Sequence, residues 1–280
     1  MIEMPEAVTL ARQMNTELTG KTITRFARGT QTHKFLWLNR PEEEYEIILR
    51  DKTITKADSY GRSIYLYMGK ENMLWWGDAG GKILYHAPDE KVPAKYHLGW
   101  EFSDGSHLTY ALRMWGAVKL LDASEFDERP HDETGVPPLH PDFTFERFNA
   151  MLDEYPEKTS KGIKGFLVAT GYAVPNHIHG LGNAIVQDIL FHARLSPKRK
   201  TPDITPDERH RLYDAIQTTV ADAIERGGRR DEYDLYGKEG GYVRLMDSKT
   251  ANTPCPNCGT NIQKISYLGG ACYLCPSCQA

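Results

Sequence analysis

Every cysteine of this chain falls in its last 26 residues. Four of the five form two C-x2-C pairs, Cys255/Cys258 and Cys275/Cys278, with 16 residues between the pairs. A secreted disulfide framework would spread its cysteines along the chain. A cluster at one end of an otherwise Cys-free sequence reads instead as a metal site in a reducing compartment. Each C-x2-C turn presents two thiolates from one knuckle, and a hairpin between the knuckles closes a tetrahedron suited to zinc. The expectation is one zinc ion held by Cys255, Cys258, Cys275 and Cys278. Its role is structural, because four thiolates leave no position open for water. Cys272 forms a competing C-x2-C with Cys275 and is read as a spare thiol beside the site.

The 280 residues upstream of and including this tail suit one large or two modest domains. No apolar run reaches the ~18 residues of a membrane span. The opening MIEMPEAVTLARQ lacks the basic start and apolar block of a signal peptide. A cytoplasmic protein without membrane contact is expected. With 34 basic and 38 acidic residues the net charge is -4, which by itself argues against a nucleic-acid partner. The balance is uneven, however. Residues 1–193 hold 21 basic and 27 acidic side chains, while residues 194–280 hold 13 and 11. The C-terminal third is the more anion-friendly part, with local patches at Lys198-Arg199-Lys200 and Arg229-Arg230.

The pattern of residues divides the chain further. Val8, Ala11, Met14 and Leu18 recur at helical spacing between Pro5 and Gly20, with Glu3 and Glu6 at the positive end of that helix. From Lys21 to Asp122, short β-branched and aromatic runs alternate with turn signals: Tyr45–Leu49, Ile64–Met68, Met73–Trp76, Lys82–Tyr85, Leu108–Leu112 and Ala117–Leu121. Their spacing predicts an antiparallel sandwich or barrel. Residues 123–142 are acidic and Pro-rich and read as a linker. Helical patterns follow at 145–155, 181–194 and 206–226, the last stopped by Gly227-Gly228. From Gly237 the chain is Gly- and Cys-rich. His177 and His179 read as solvated loop residues.

Four segments, in this order, resemble a known family. The start MIEMPEAVTLARQ is similar to the Met-Pro-Glu-Leu-Pro-Glu-Val opening of the Fpg/Nei DNA glycosylases. Leu112-Arg113-Met114-Trp115-Gly116 resembles their Arg-Arg-Phe-Gly wedge. Gly180-Leu181-Gly182-Asn183 resembles their helix-two-turns-helix signature, and PCPNCGTNIQKISYLGGACYLCPSCQ their terminal zinc finger. The resemblance spans Met1 to Gln279. It implies a mixed α+β architecture. An N-terminal β-sandwich domain with a leading helix (1–122) is followed by the linker (123–142). A helix-two-turns-helix domain (143–236) and a zinc-finger hairpin (237–280) complete it. It implies double-stranded DNA, damaged or distorted, as partner.

In that family the amine of an N-terminal proline attacks the sugar, the adjacent glutamate handles protons, and the lesion base is flipped out of the duplex. Glu3 aligns with the catalytic glutamate and Glu6 with a second early one. The proline position is Ile2. Because Ile2 is not small, Met1 is expected to be retained, which moves the free amine out by ~3.5 Å of chain. The family's strand lysine aligns with Ser63 or Ile64, with Arg62 the nearest cation, and its hairpin arginine aligns with Gly270. A void-filling position aligns with Asp78. The resemblance therefore assigns Met1, Glu3 and Glu6 to catalysis, and Asn183, Lys164, Arg113, Trp115 and Arg62 to DNA. The expected activity is removal of a damaged base by hydrolysis of the N-glycosidic bond, with AP-lyase activity weak or absent. The alternative is a catalytically silent DNA-binding protein of the same fold.

Overall fold

The computed structural model describes residues 1–77, 79–125, 135–155, 161–169 and 176–279. Asp78 and the middle of the predicted linker (126–134) lie outside the described residues. The chain divides into two compact units. One is Met1–His131 together with Ile224–Tyr242, the other Asp132–Ala223 together with Val243–Ala280.

The first unit opens with helix α1 (Met4–Leu18). Its apolar stripe, Leu10, Met14 and Leu18, is fully buried. Glu3 is its N-cap in a reciprocal capping box: the Glu3 side chain accepts from the Glu6 amide, and the Glu6 side chain accepts from the Glu3 amide. Strands β1 (Ile23–Arg28) and β2 (Leu36–Leu38) follow, then α2 (Glu42–Leu49). Next come β3 (Lys56–Tyr60), β4 (Ser63–Met68), β5 (Asn72–Gly77) and β6 (Gly81–His86). The last three are β7 (Leu98–Phe102), β8 (His107–Leu112) and β9 (Gly116–Asp122). They form two sheets, ordered β1-β7-β8-β6 and β2-β9-β5-β4-β3. Inward residues alternate along the strands, and Phe26, Trp100 and Tyr110 of one sheet share a core with Leu66, Trp76 and Val118 of the other.

Two expectations need correction. The run Tyr45–Leu49 is helical, not a strand. Three glutamates after Pro41 favour a helix N-terminus, and Tyr45 and Leu49 bury one face at i, i+4 spacing. The sheets are also not wholly antiparallel, since β2 pairs with β9 in parallel. Segment Ile224–Tyr242 completes this unit. Leu235 enters the sandwich core, and Gln13 of α1 binds the Leu235 amide and the Asp234 carboxylate.

The second unit contains β10 (Gly135–Val136), α3 (Phe145–Glu154), α4 (Gly162–Leu167), β11 (His177–Ile178) and α5 (Ile185–His192). It also holds most of α6 (Pro206–Glu225) and the hairpin β12 (Gln263–Tyr267) and β13 (Gly270–Leu274). His177 and His179 are buried, not solvated, because β10 and β11 pair there. Among the described residues no helix is long and apolar enough to cross a membrane.

Candidate functional site

In the first unit a charged cluster forms where the start of α1 meets the returning segment. Gly227 and Gly228 end α6, both with positive φ. Gly228 has φ +95°, where any other residue is strained, and a Cβ there would also crowd Glu6 Cγ at 3.2 Å. This turn delivers Arg229, 2% exposed, onto the two buried glutamates. The Arg229 amide and Nε donate to Glu6 Oε1 at 2.9 and 3.1 Å, and Nη2 donates to Glu6 Oε2 at 3.0 Å. Nη2 also donates to the Met1 carbonyl at 2.7 Å, and Nη1 faces Glu3 Oε1 at 3.6 Å. Burial opposes the guanidinium's charge, but Glu3 and Glu6 outweigh it and push the Arg229 pKa above its ordinary value. The Met1 ammonium is paired with Glu232, which also lies 3.7 Å from Arg229 Nη2. Met1, Glu3 and Glu6 are thus brought together with Arg229 and Glu232.

This cluster is tied to a second loop. The Ile2 amide donates to the Ala79 carbonyl at 2.9 Å, while Ile2 itself is buried in the core. The neighbouring Gly80 exchanges backbone bonds with the β8–β9 loop: Arg113 N to Gly80 O at 3.0 Å, and Gly80 N to Trp115 O at 3.1 Å. A Cβ on Gly80 would meet the Arg113 carbonyl at 2.2 Å, so this contact requires glycine. The fixed loop leaves Arg113, Met114 and Trp115 exposed, Trp115 at 39%. Arg62 is half-buried in the β3–β4 turn. Ser63 and Ile64 beside it are buried.

In the second unit Asn183 is exposed just before α5, its Nδ2 donating to the Ala271 carbonyl of the hairpin at 3.5 Å. Gly270 is adjacent: a Cβ there would come 3.9 Å from Asn183 Nδ2. Gln187 joins the same elements, accepting from the Tyr273 amide and donating to Asn183 O. Lys164 has a different setting. It is 1% exposed in α4, its Nζ makes no hydrogen bond among the described residues, and the Tyr267 ring lies 5.9 Å away. Burial pushes its pKa down, partly opposed by the Cys272 thiol.

The four cysteines of the two C-x2-C turns converge so that their sulfurs all lie within 4.8 Å of one another. Cys255–Cys278 and Cys258–Cys275 are 3.9 and 3.4 Å apart. Tetrahedral coordination with ~2.3 Å metal–sulfur bonds would set these separations at ~3.8 Å, so the four residues can hold a metal ion. Cys272 stays outside this group, in β13 beside Lys164.

The first unit is thus a sandwich with a carboxylate-rich helix start, and the second a helical unit that carries a four-cysteine hairpin. The family model for the formamidopyrimidine-DNA glycosylase N-terminal domain matches residues 1–118, and that for its H2TH domain matches residues 135–233. Formamidopyrimidine-DNA glycosylase of Bacillus anthracis is 29% identical, over 100% of this chain and 99% of its own. That of Lactobacillus delbrueckii subsp. bulgaricus is 28% identical, over 100% and 99%. The fold also matches the crystal structure of a complex between the LlFpg protein, a THF-DNA and an inhibitor. The TM-score is 0.83 and the identity 25%, with 99% of both chains covered. The Lactococcus lactis Fpg in complex with DNA containing an abasic site matches with the same TM-score at 24% identity, again over 99% of both chains. The chain belongs to the Fpg/Nei family.

Sequence reasoning makes Arg229 part of an exposed anion-friendly patch, whereas the residue is buried on Glu3 and Glu6, and it misses Glu232 altogether. The signal available was a helix-stopping glycine pair followed at once by Arg229-Arg230-Asp231-Glu232. Nothing in it pointed across more than 220 positions to Glu6.

Proposed function

We propose that this protein is a base-excision DNA glycosylase that binds damaged duplex DNA, takes the lesion base out of the stack and hydrolyses its N-glycosidic bond. One observation carries the reading. Glu3 and the Met1 amine stand in one buried-charge cluster a single peptide away from the loop that exposes Arg113 and Trp115. In this reading Glu3 activates the water that attacks the sugar C1', the bond to the base breaks, and the base leaves with its electron pair. Trp115 stacks into the gap and Arg113 pairs with the opened strand or a phosphate. Asn183 and Arg62 bind phosphates. Lys164 joins them only when its ammonium swings out from beside Tyr267. The metal is zinc, held by Cys255, Cys258, Cys275 and Cys278 in a structural role. The protein works as a monomer in the cytoplasm, on nucleoid DNA.

AP-lyase activity is weak and depends on Met1. A primary amine forms a Schiff base as an imine-forming nucleophile, but attack from a displaced atom is slow. The opposing reading, a silent DNA-binding protein, draws its support from the uncharged residues Ile64 and Gly270 at two phosphate-clamp positions. Duplexes carrying an abasic site or an oxidised base, incubated with borohydride after the intact mass of the N-terminus is measured, separate these. Base release without trapping, lost in Glu3→Gln, is the expected result. A trapped adduct would assign amine chemistry to Met1. Binding with neither product would establish the silent reading for those lesions.

A further inference from the structure

The cluster contains two early glutamates, and their hydrogen bonding divides them. A carboxylate offers about four acceptor sites. Glu6 has all four occupied: Oε1 by the Arg229 amide and Nε, Oε2 by Arg229 Nη2 and the Glu3 amide. It is 3% exposed and gripped in a bidentate fork. Such a carboxylate has no acceptor site left for a proton from substrate or water. Glu3 is held differently. Its side chain accepts from the Glu6 amide, and the guanidinium faces it at 3.6 Å, too long for a hydrogen bond and near enough for strong attraction in a buried site.

We propose that Arg229 is a positioning residue that uses Glu6 as its anchor and holds the Glu3 side chain in the orientation that activates water. This rests on the glycosylase reading and deepens it by assigning the two glutamates separate tasks. The guanidinium is fixed on three sides: the Glu6 fork, the Met1 carbonyl at 2.7 Å, and Glu232 at 3.7 Å. Its remaining nitrogen, Nη1, is aimed at Glu3. The glycine at 228 places the Arg229 amide on Glu6, so the backbone and the side chain of one residue hold the same carboxylate.

The test uses the full-length, metal-loaded protein and three variants: Glu3→Gln, Arg229→Lys, and the double variant Glu6→Gln/Arg229→Met. The double variant removes both members of a buried ion pair, which proteins tolerate far better than loss of one. It is expected to melt near the wild-type temperature and to bind uncleavable abasic-analogue DNA within about twofold of wild type, while single-turnover base release falls about 100-fold, the scale of a misplaced catalytic group. Arg229→Lys keeps the charge without the fork, so it recovers part of that loss with unchanged affinity. Release within about threefold of wild type in the double variant would overturn the proposal, because a structural clamp alone would then explain Arg229. If the double variant does not fold, wild-type release by Arg229→Lys would overturn it equally. A crystal structure of whichever variant folds supplies an arm independent of activity. The Glu3 carboxylate is expected to leave its position opposite residue 229, and an unmoved Glu3 sinks the idea. Absence of base release by the wild type would instead sink the glycosylase reading, and the crystallographic arm would still decide the role of Arg229.

Discussion

Lys164 shows at the scale of one residue how sequence context and environment diverge. Its place upstream of the Gly-Leu-Gly-Asn turn aligns it with a DNA-binding lysine, yet its ammonium is buried with no hydrogen bond among the described residues. A buried, unpaired cation costs stability. Lys164→Met is therefore expected to raise stability by about 1–3 kcal/mol while weakening DNA binding, a trade measurable by denaturant melts and titration of duplex. The pH dependence has a defined sign. Burial lowers the Lys164 pKa in the folded protein below its unfolded value, so the unfolded chain binds the proton more tightly. Stability should then rise with pH between the folded pKa and the unfolded value near 10.5, and Lys164→Met should lack that rise. Asn183 and Arg62 can be separated by salt. Asn183→Ala should weaken binding across sequences without changing the salt slope, because Asn releases no counterion. Arg62→Ala should reduce the slope of log K against log[salt] by about 0.9. Equal slopes for the two variants would contradict the phosphate role of Arg62.

Elements were legible where periodicity and caps agreed. α1, α3 and α6 announced themselves by apolar spacing, and α1 also by Pro5 and its acidic first turn. α2 was misread because Ile47 and Ile48 suggest a strand, although Tyr45 and Leu49 bury a helical face. Strands β1 (ITRFAR), β2 (LWL), β3 (KADSY) and β7 (LGWEF) escaped notice, since charge, glycine or shortness hides a period that only the neighbouring strands reveal. The metal-binding tail was legible because its chemistry is local: two short turns and a hairpin. Removing the metal with a strong chelator should loosen more than those turns. Cys255 and Cys275 pack with Phe191, Met246, Ile262 and Tyr273, so hydrogen exchange should accelerate in β12, β13 and the end of α5 together. Cys272→Ser should still bind one equivalent of metal and Cys278→Ser should not. The reverse would move the site to the competing Cys272/Cys275 pair.

The whole molecule carries a net charge of -4, an unusual starting point for the proposed grip on a polyanion. Part of the acidity is now located. Glu3, Glu6 and Glu232 are turned onto Arg229 and the Met1 ammonium, and Glu42, Glu43 and Glu44 form the first turn of α2. Only a few cations are assigned to phosphates, so affinity for lesion duplex should fall modestly between 50 and 200 mM salt, by at most about 10³-fold, the low end for proteins with six to ten phosphate contacts. A filter-binding or anisotropy titration over that range checks it, and a larger fall would mean more phosphate contacts than the residues named here provide. At this scale the site was only half legible. The two glutamates lie in the first six residues, where a family signature exposes them. Their partner lies beyond residue 223, and no local pattern reports a contact of that span.

The first unit is made from two stretches separated by most of the second, and this has a consequence in time. On the ribosome, both sheets of the sandwich are complete once Asp122 has emerged, but Arg229, Leu235 and their neighbours have not yet been made. At about 5–20 residues per second, Glu3 and Glu6 wait roughly 5–21 s after that point for their guanidinium. The nascent sandwich must hold its shape through that interval without Leu235 in its core and with two acids at the start of α1 open to solvent or to chaperones. The Glu3–Glu6–Arg229 cluster therefore assembles only after synthesis has passed the return segment, so a stalled or truncated chain carries the sandwich without it.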